Sequence, residues 1–132
     1  MERRSRVLVV DDDDAFRGAV VRMLASTFDV TTAKDGEDAV TKIAADAGFD
    51  LVVMDLEMPR MNGRAAYERI AEVAPPVARR TLIMSGGSGV LELQEWLDGL
   101  GPTRLLLKPF SSRRLAEAID DLFTELARTG SA

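Results

Sequence analysis

The chain has 132 residues, 46% of them hydrophobic, a size that predicts one compact domain with a single buried core. Its 17 basic and 22 acidic residues leave a net charge of -5, which favours neither a nucleic-acid backbone nor an anionic membrane as partner. Cysteine and histidine are both absent, which excludes disulfides, thiolate or imidazole metal sites, serine-histidine-aspartate hydrolysis and a phosphohistidine on the chain itself, and suits a reducing cytoplasm.

Residues 1–6 are basic, but only four apolar residues follow before a run of aspartates, so no signal peptide is predicted; nor is any apolar stretch long enough to span a bilayer. Short β-branched runs alternate with longer stretches of helical spacing, and five strand-helix units can be counted. The strands are read at 6–10, 29–33, 50–54, 81–85 and 104–107. The first, third and fifth are almost purely apolar, as expected of parallel strands covered on both faces, whereas the second is more polar and is predicted to be an edge. One helical face carries Phe16, Ala19, Val20, Met23 and Leu24, and the next Ala39, Val40, Ile43 and Ala44. Ala66, Tyr67, Ile70 and Ala74 mark a third helix. Val90, Leu93, Trp96, Leu97 and Leu100 mark a fourth, and Leu115, Ala118, Ile119, Leu122 and Leu126 a fifth. This alternation implies right-handed crossovers and an α/β, doubly wound parallel sheet. The core is read over about 6–127, with a loose tail at 128–132.

In open parallel sheets, polar groups at the carboxyl ends of the strands converge where the strand order reverses. The first strand is followed by Asp11-Asp12-Asp13-Asp14, the third by Asp55 and the fifth by Lys108, while Ser85 ends the fourth. Each has a plainer use. Aspartates between strand and helix are commonly turn residues with one capping the helix, here Asp13 or Asp14, and Ser85 or Lys108 could serve the loop backbone or solvent. All four strand ends lie on one edge of the sheet, which is what selects the chemical interpretation. Clustered carboxylates repel one another, and a hard cation relieves this; oxygen-only ligands favour Mg²⁺. Asp55 can then act as a nucleophile toward phosphorus and form an acyl phosphate, with Lys108 and Ser85 holding phosphoryl oxygens.

Four motifs in this order, Val9-Val10-Asp11-Asp12, Asp55-Leu56-Glu57-Met58-Pro59-Arg60-Met61-Asn62-Gly63, Met84-Ser85-Gly86 and Lys108-Pro109-Phe110, resemble the response-regulator receiver domain of two-component signalling. The resemblance covers nearly the whole chain. It implies a five-stranded flavodoxin-like sheet of order 2-1-3-4-5, phosphorylation at Asp55, Mg²⁺ held by Asp12 and Asp55, and a contribution from Asp11 through water. The Glu57 main-chain carbonyl completes the implied ligands. Ser85 moves toward the phosphoryl group, Lys108 pairs with it, and the Lys108-Pro109 peptide is commonly cis in the family. The implied donor is a histidine kinase or histidine phosphotransfer protein and the output an unidentified downstream protein, with no nucleic acid or membrane as partner. The implied role is that of a phosphoacceptor assisting its own phosphorylation and dephosphorylation, not of an enzyme.

The chain also departs from the family. Leu105 stands where an aromatic residue often reports phosphorylation, so the switch is assigned instead to the glycine-rich loop Gly86-Gly87-Ser88-Gly89 or a shift of the fourth helix, within residues 85–110. Met84-Ser85-Gly86-Gly87 is similar to receivers attached to hybrid sensor histidine kinases. Residues after Phe110 are taken up by the last helix, leaving none for a helix-turn-helix. Arg17, Gly18 and Val21 are predicted to be exposed and to meet the donor, and Leu91 to lie on an exposed face. Two other functional classes compete with this one. One is a receiver-fold binding module that is never phosphorylated; the other is a haloacid-dehalogenase-type phosphatase, whose nucleophile stands on the first strand in an Asp-x-Asp arrangement. A P-loop fails for want of its motif.

Overall fold

The computed structural model describes residues 4–87 and 93–129. The strands are β1 (Arg6–Val10), β2 (Asp29–Ala33), β3 (Leu51–Asp55), β4 (Thr81–Ser85) and β5 (Leu105–Leu107), all parallel, in the order β2-β1-β3-β4-β5. The helices are α1 (Asp14–Leu24), α2 (Gly36–Ala45), α3 (Gly63–Val73), α4 (Pro75–Arg79), α5 (Gln94–Leu100) and α6 (Ser112–Arg128). This is the doubly wound, flavodoxin-like sheet expected from the sequence. No helix among the described residues is long and apolar enough to cross a membrane.

Strand parity sorts the core into two layers, because successive side chains of a strand point to opposite faces. Val7, Val9, Leu51, Val53, Leu82, Met84 and Leu106 pack with Val20 and Leu24 of α1 and with Leu115, Ile119 and Leu122 of α6. Leu8, Val10, Val52, Met54 and Ile83 pack on the other face with Ile43 of α2, Ile70 of α3 and Leu97 of α5. Helix starts follow the local sequence. The side chains of Asp13, Asp35, Asn62 and Ser111 each accept from backbone N–H groups in the first turn of α1, α2, α3 and α6. Asp13 is thus the cap allowed for in the aspartate run.

Several details differ from the sequence reading. Strand β3 begins one residue later and includes Asp55, because Asp50 turns its carboxylate to accept from the Arg6 N–H at 2.7 Å. Arg104 belongs to a 3-10 turn (Pro102–Arg104), not to β5, and its buried guanidinium donates to the Thr81 and Ala78 carbonyls, each at 2.7 Å. Strand β5 is an edge like β2, so Leu107 is 56% exposed despite the apolar sequence. Helix α4 was not anticipated. Pro75 and Pro76 at its start lack N–H groups that a first turn does not need, so two prolines initiate a helix where they look like breakers. Ala44 is exposed, and Ala74 is buried just past the end of α3. The helix expected around Val90 to Leu100 is described from Leu93 onward, as α5; Val90, Leu91, Ser88 and Gly89 lie outside the described residues, and the expected tail is described only as far as Thr129.

Candidate functional site

The order β2-β1-β3-β4-β5 makes β1, β3, β4 and β5 consecutive, so the residues at their carboxyl ends form one continuous rim. The register aligns these ends: Val10 pairs with Met54, Asp55 with Met84, and Ser85 with Leu107. Past the strands, the Leu56 N–H donates to the Met84 carbonyl at 2.8 Å and the Lys108 N–H to the Ser85 carbonyl at 2.7 Å. Asp55 continues the parity of Leu51 and Val53, and Lys108 that of Leu106, which directs both toward the α1 and α6 side.

Asp11, Asp12 and Asp55 each offer a carboxylate oxygen, and these oxygens all lie within 4.8 Å of one another. Asp11 and Asp55 are buried, while Asp12 is exposed. The Asp11 carboxylate accepts from the Asp13 N–H at 2.9 Å and from Lys108 Nζ at 3.1 Å. Lys108 Nζ also lies 3.2 Å from Asp55 Oδ1, an ion pair without hydrogen-bond alignment, and this buried oxygen has no hydrogen-bond donor among the described residues. Burial, and then the charge of Asp11, push the Asp55 carboxyl up to about 6, against the pull of Lys108. Burial also works against the Lys108 charge, but the two carboxylates outweigh it and hold the ammonium above its ordinary value. This is an oxygen-only cradle of three carboxylates facing a single lysine, a donor set that fits a hard divalent cation.

The hydroxyl of fully buried Ser85 donates to Glu57 Oε2 at 2.8 Å. The Gly86 N–H donates to Glu57 Oε1 at 3.2 Å, and the Gly87 N–H to Ser85 Oγ at 3.1 Å. Ser85 and Glu57 therefore stand together, and Lys108 stands with Asp11 and Asp55. The resemblance implied a role for the main-chain carbonyl of Glu57; its side chain is committed to the end of β4.

Four further contributions were not read from the sequence. Lys108 Nζ lies 4.1 Å from the centroid of the Phe16 ring, which is itself edge-on to Phe110 at 5.6 Å, so an aromatic pair backs the ammonium. Phe16 was legible only as part of an apolar helix face. Arg17 Nη1 donates to the Asp11 carbonyl at 2.8 Å and Nη2 to Asp14 at 2.6 Å, so Arg17 is half-buried where exposure was predicted; Gly18 and Val21 are half-buried as well. The Gly86 amide is the third. Gly63 is the fourth: a Cβ there would sit 2.7 Å from the Asp55 carbonyl oxygen and 2.8 Å from Leu56 Cα, so only glycine lets α3 start this close to the end of β3. The Lys108-Pro109 peptide is cis. Leu105 packs half-buried against the α2, α3 and α5 side of the core. A cavity of about 460 Å³ lies away from these groups, lined by Leu97, Asp98, Leu105, Leu107 and Arg114 among others.

Comparison with known proteins agrees with this geometry. Over 117 residues the chain is 37% identical to chemotaxis protein CheY of Treponema pallidum, covering 86% of this chain and 79% of that protein. It is 34% identical over 112 residues to a protein-glutamate methylesterase/protein-glutamine glutaminase of Bacillus licheniformis, covering 81% of this chain but only 30% of the length of that relative. Among solved structures, the CheX-CheY-BeF3-Mg²⁺ complex of Borrelia burgdorferi superposes with a TM-score of 0.78 at 25% identity, over 90% of this chain and 89% of that one. Residues 7–120 match the family model of the response regulator receiver domain, and the chain belongs to that family.

Proposed function

We propose that Asp55 accepts a phosphoryl group from a phosphohistidine on a histidine kinase or histidine phosphotransfer protein, and that the change reaches a downstream protein through residues 85–110. The observation that carries this is Asp55 Oδ1: buried, without a hydrogen-bond donor, and 3.2 Å from the Lys108 ammonium. A carboxylate oxygen held only by an ion pair to one ammonium keeps a lone pair with which to act as a nucleophile. In the transfer, an Asp55 oxygen forms a bond to phosphorus as the donor's N–P bond breaks, and the imidazole keeps that electron pair. Lys108 holds one phosphoryl oxygen and the Ser85 hydroxyl another. Asp12 and Asp55 would hold Mg²⁺ directly, Asp11 through water and Glu57 through its main-chain carbonyl. When bound, the ion neutralises the clustered carboxylates and the negative charge of the transferred group. The oxygen-only cluster supports this assignment, as does the beryllofluoride and Mg²⁺ complex of the Borrelia relative.

The chain thereby acts as one receiver unit over about 6–127, assisting its own phosphorylation and dephosphorylation without turning over a separate substrate. Intact mass after incubation with acetyl phosphate tests this. One phosphoryl adduct is expected for the native chain with Mg²⁺, and none in chelator or for Asp55→Asn. An adduct that survives Asp55→Asn would overturn the site, and none under any condition would favour an unphosphorylated binding module. Turnover of diverse phosphate esters would favour the phosphatase.

A further inference from the structure

We propose that the Glu57 side chain is a built-in competitor of the phosphoryl group, occupying with one carboxylate two neighbouring donors at the end of β4, the Ser85 hydroxyl assigned to a phosphoryl oxygen and the Gly86 amide beside it. This rests on the assignment of Asp55 as phosphoacceptor. Ser85 Oγ donates to Glu57 Oε2 at 2.8 Å, and the Gly86 N–H donates to Oε1 at 3.2 Å. A carboxylate bridging a hydroxyl and an adjacent amide presents two anionic oxygens, the same chemistry that two oxygens of a phosphoryl group would present. The two cannot be accommodated together. A serine hydroxyl has a single hydrogen, and the acceptor side of Ser85 Oγ already takes the Gly87 N–H at 3.1 Å, so a phosphoryl oxygen gains the Ser85 hydrogen only if Glu57 releases it.

Ser85 is fully buried, which makes the exchange direct, because solvent does not satisfy the hydroxyl in passing. The loop that carries Glu57 is held from both ends. The Leu56 N–H is bonded to the Met84 carbonyl at 2.8 Å, and the Leu56 carbonyl accepts from the Gly63 N–H at 2.8 Å. Release is therefore a rotation of the Glu57 side chain and not a movement of its backbone. A merely structural clamp would make opposite demands: removing it would loosen Gly86 and Gly87 and weaken the hold on a phosphoryl group. The sign of the effect separates the two roles.

The test uses the full chain, with beryllofluoride and Mg²⁺ as the phosphoryl probe, in the native sequence and in Glu57→Ala, Glu57→Gln and Glu57→Asp, each first shown to be folded by its cooperative unfolding transition. The backbone amide resonance of Gly86 is the readout. In protein free of metal and probe, that resonance is expected to shift in Glu57→Ala, reporting the lost hydrogen bond. Probe affinity is expected to rise about tenfold in Glu57→Ala, the effect of releasing a charge-assisted pair of hydrogen bonds. Glu57→Asp keeps the charge but is one methylene too short to bridge both donors, so it should recover most of the gain. Equal or weaker probe binding in folded Glu57→Ala overturns the proposal. So does a gain in Glu57→Gln that is absent from Glu57→Asp, which would trace the effect to charge repulsion alone. Failure of all four proteins to bind the probe, with no acetyl phosphate adduct on the native chain, would instead overturn the assignment of Asp55 and the competitor with it.

Discussion

Asp55 is held in an environment that opposes its own charge. Its carboxyl, raised to about 6 by burial and by Asp11, is ionised at neutral pH only at a cost that Lys108 offsets in part. In the unfolded chain the group returns to about 3.9. Between those values the folded protein holds a proton that the unfolded chain has lost, so stability falls as pH rises from about 4 to about 6, and the full cost applies above 6. A shift of this size corresponds to on the order of 2–3 kcal/mol. In chelator, Asp55→Asn is therefore expected to be more stable than the native chain at pH 7, with the advantage fading toward pH 4. Urea unfolding across that range checks it, and an advantage independent of pH would contradict the ionisation argument. At the same scale, Glu57 shows what a linear sequence withholds: its place two residues after Asp55 was plain, but the partner of its carboxylate was set by the neighbouring strand.

Among the elements, the junction between β3 and α3 is the most exacting. Replacing a glycine by alanine inside a helix normally gains up to about 1 kcal/mol. At Gly63 the added methyl would meet the Asp55 carbonyl and Leu56 Cα at under 3 Å, and backbone atoms cannot rotate out of the way. Overpacking of this kind costs roughly 1–3 kcal/mol, so Gly63→Ala is expected to be net destabilising and to slow adduct formation by displacing Asp55. Denaturant unfolding and intact mass measure the two effects separately. Strand β5 and helix α4 teach a different lesson. The strand read over 104–107 was expected to be covered on both faces, but its position at the sheet edge leaves Leu107 open. Pro75 and Pro76 start a helix that the sequence reading did not include, because the first turn does not use their missing N–H groups.

At the scale of the whole molecule, sheet order converts four separate strand ends into one rim whose clustered carboxylates repel one another, a repulsion that a bound cation would relieve. Binding to the folded state alone stabilises by mass action, by roughly 2.7 kcal/mol when the ligand is at 100 times its Kd. Mg²⁺ is therefore expected to raise the thermal unfolding midpoint of the native chain in a concentration-dependent way. Asp12 is exposed and caps nothing, so Asp12→Ala should fold normally in chelator and lose most of the Mg²⁺ response. An equal rise in both proteins would remove Asp12 from the metal site.

Composition and period determined most of the architecture. Alternating strand and helix patterns imply parallel crossovers, and parallel strands must end with their polar residues on one edge, so Asp11, Asp55, Ser85 and Lys108 could be placed together from the sequence. Tertiary structure alone decided the pairings across that edge. Lys108 is shared between Asp11 and Asp55 and backed by Phe16, Arg17 is drawn onto the Asp11 carbonyl, and Ser85 is held by Glu57. Those contacts join residues on different strands, helices and loops, and Lys108 and Asp11 stand 97 positions apart in the chain. Periodicity reports which face a residue occupies; which neighbour it meets there depends on how separate elements are packed.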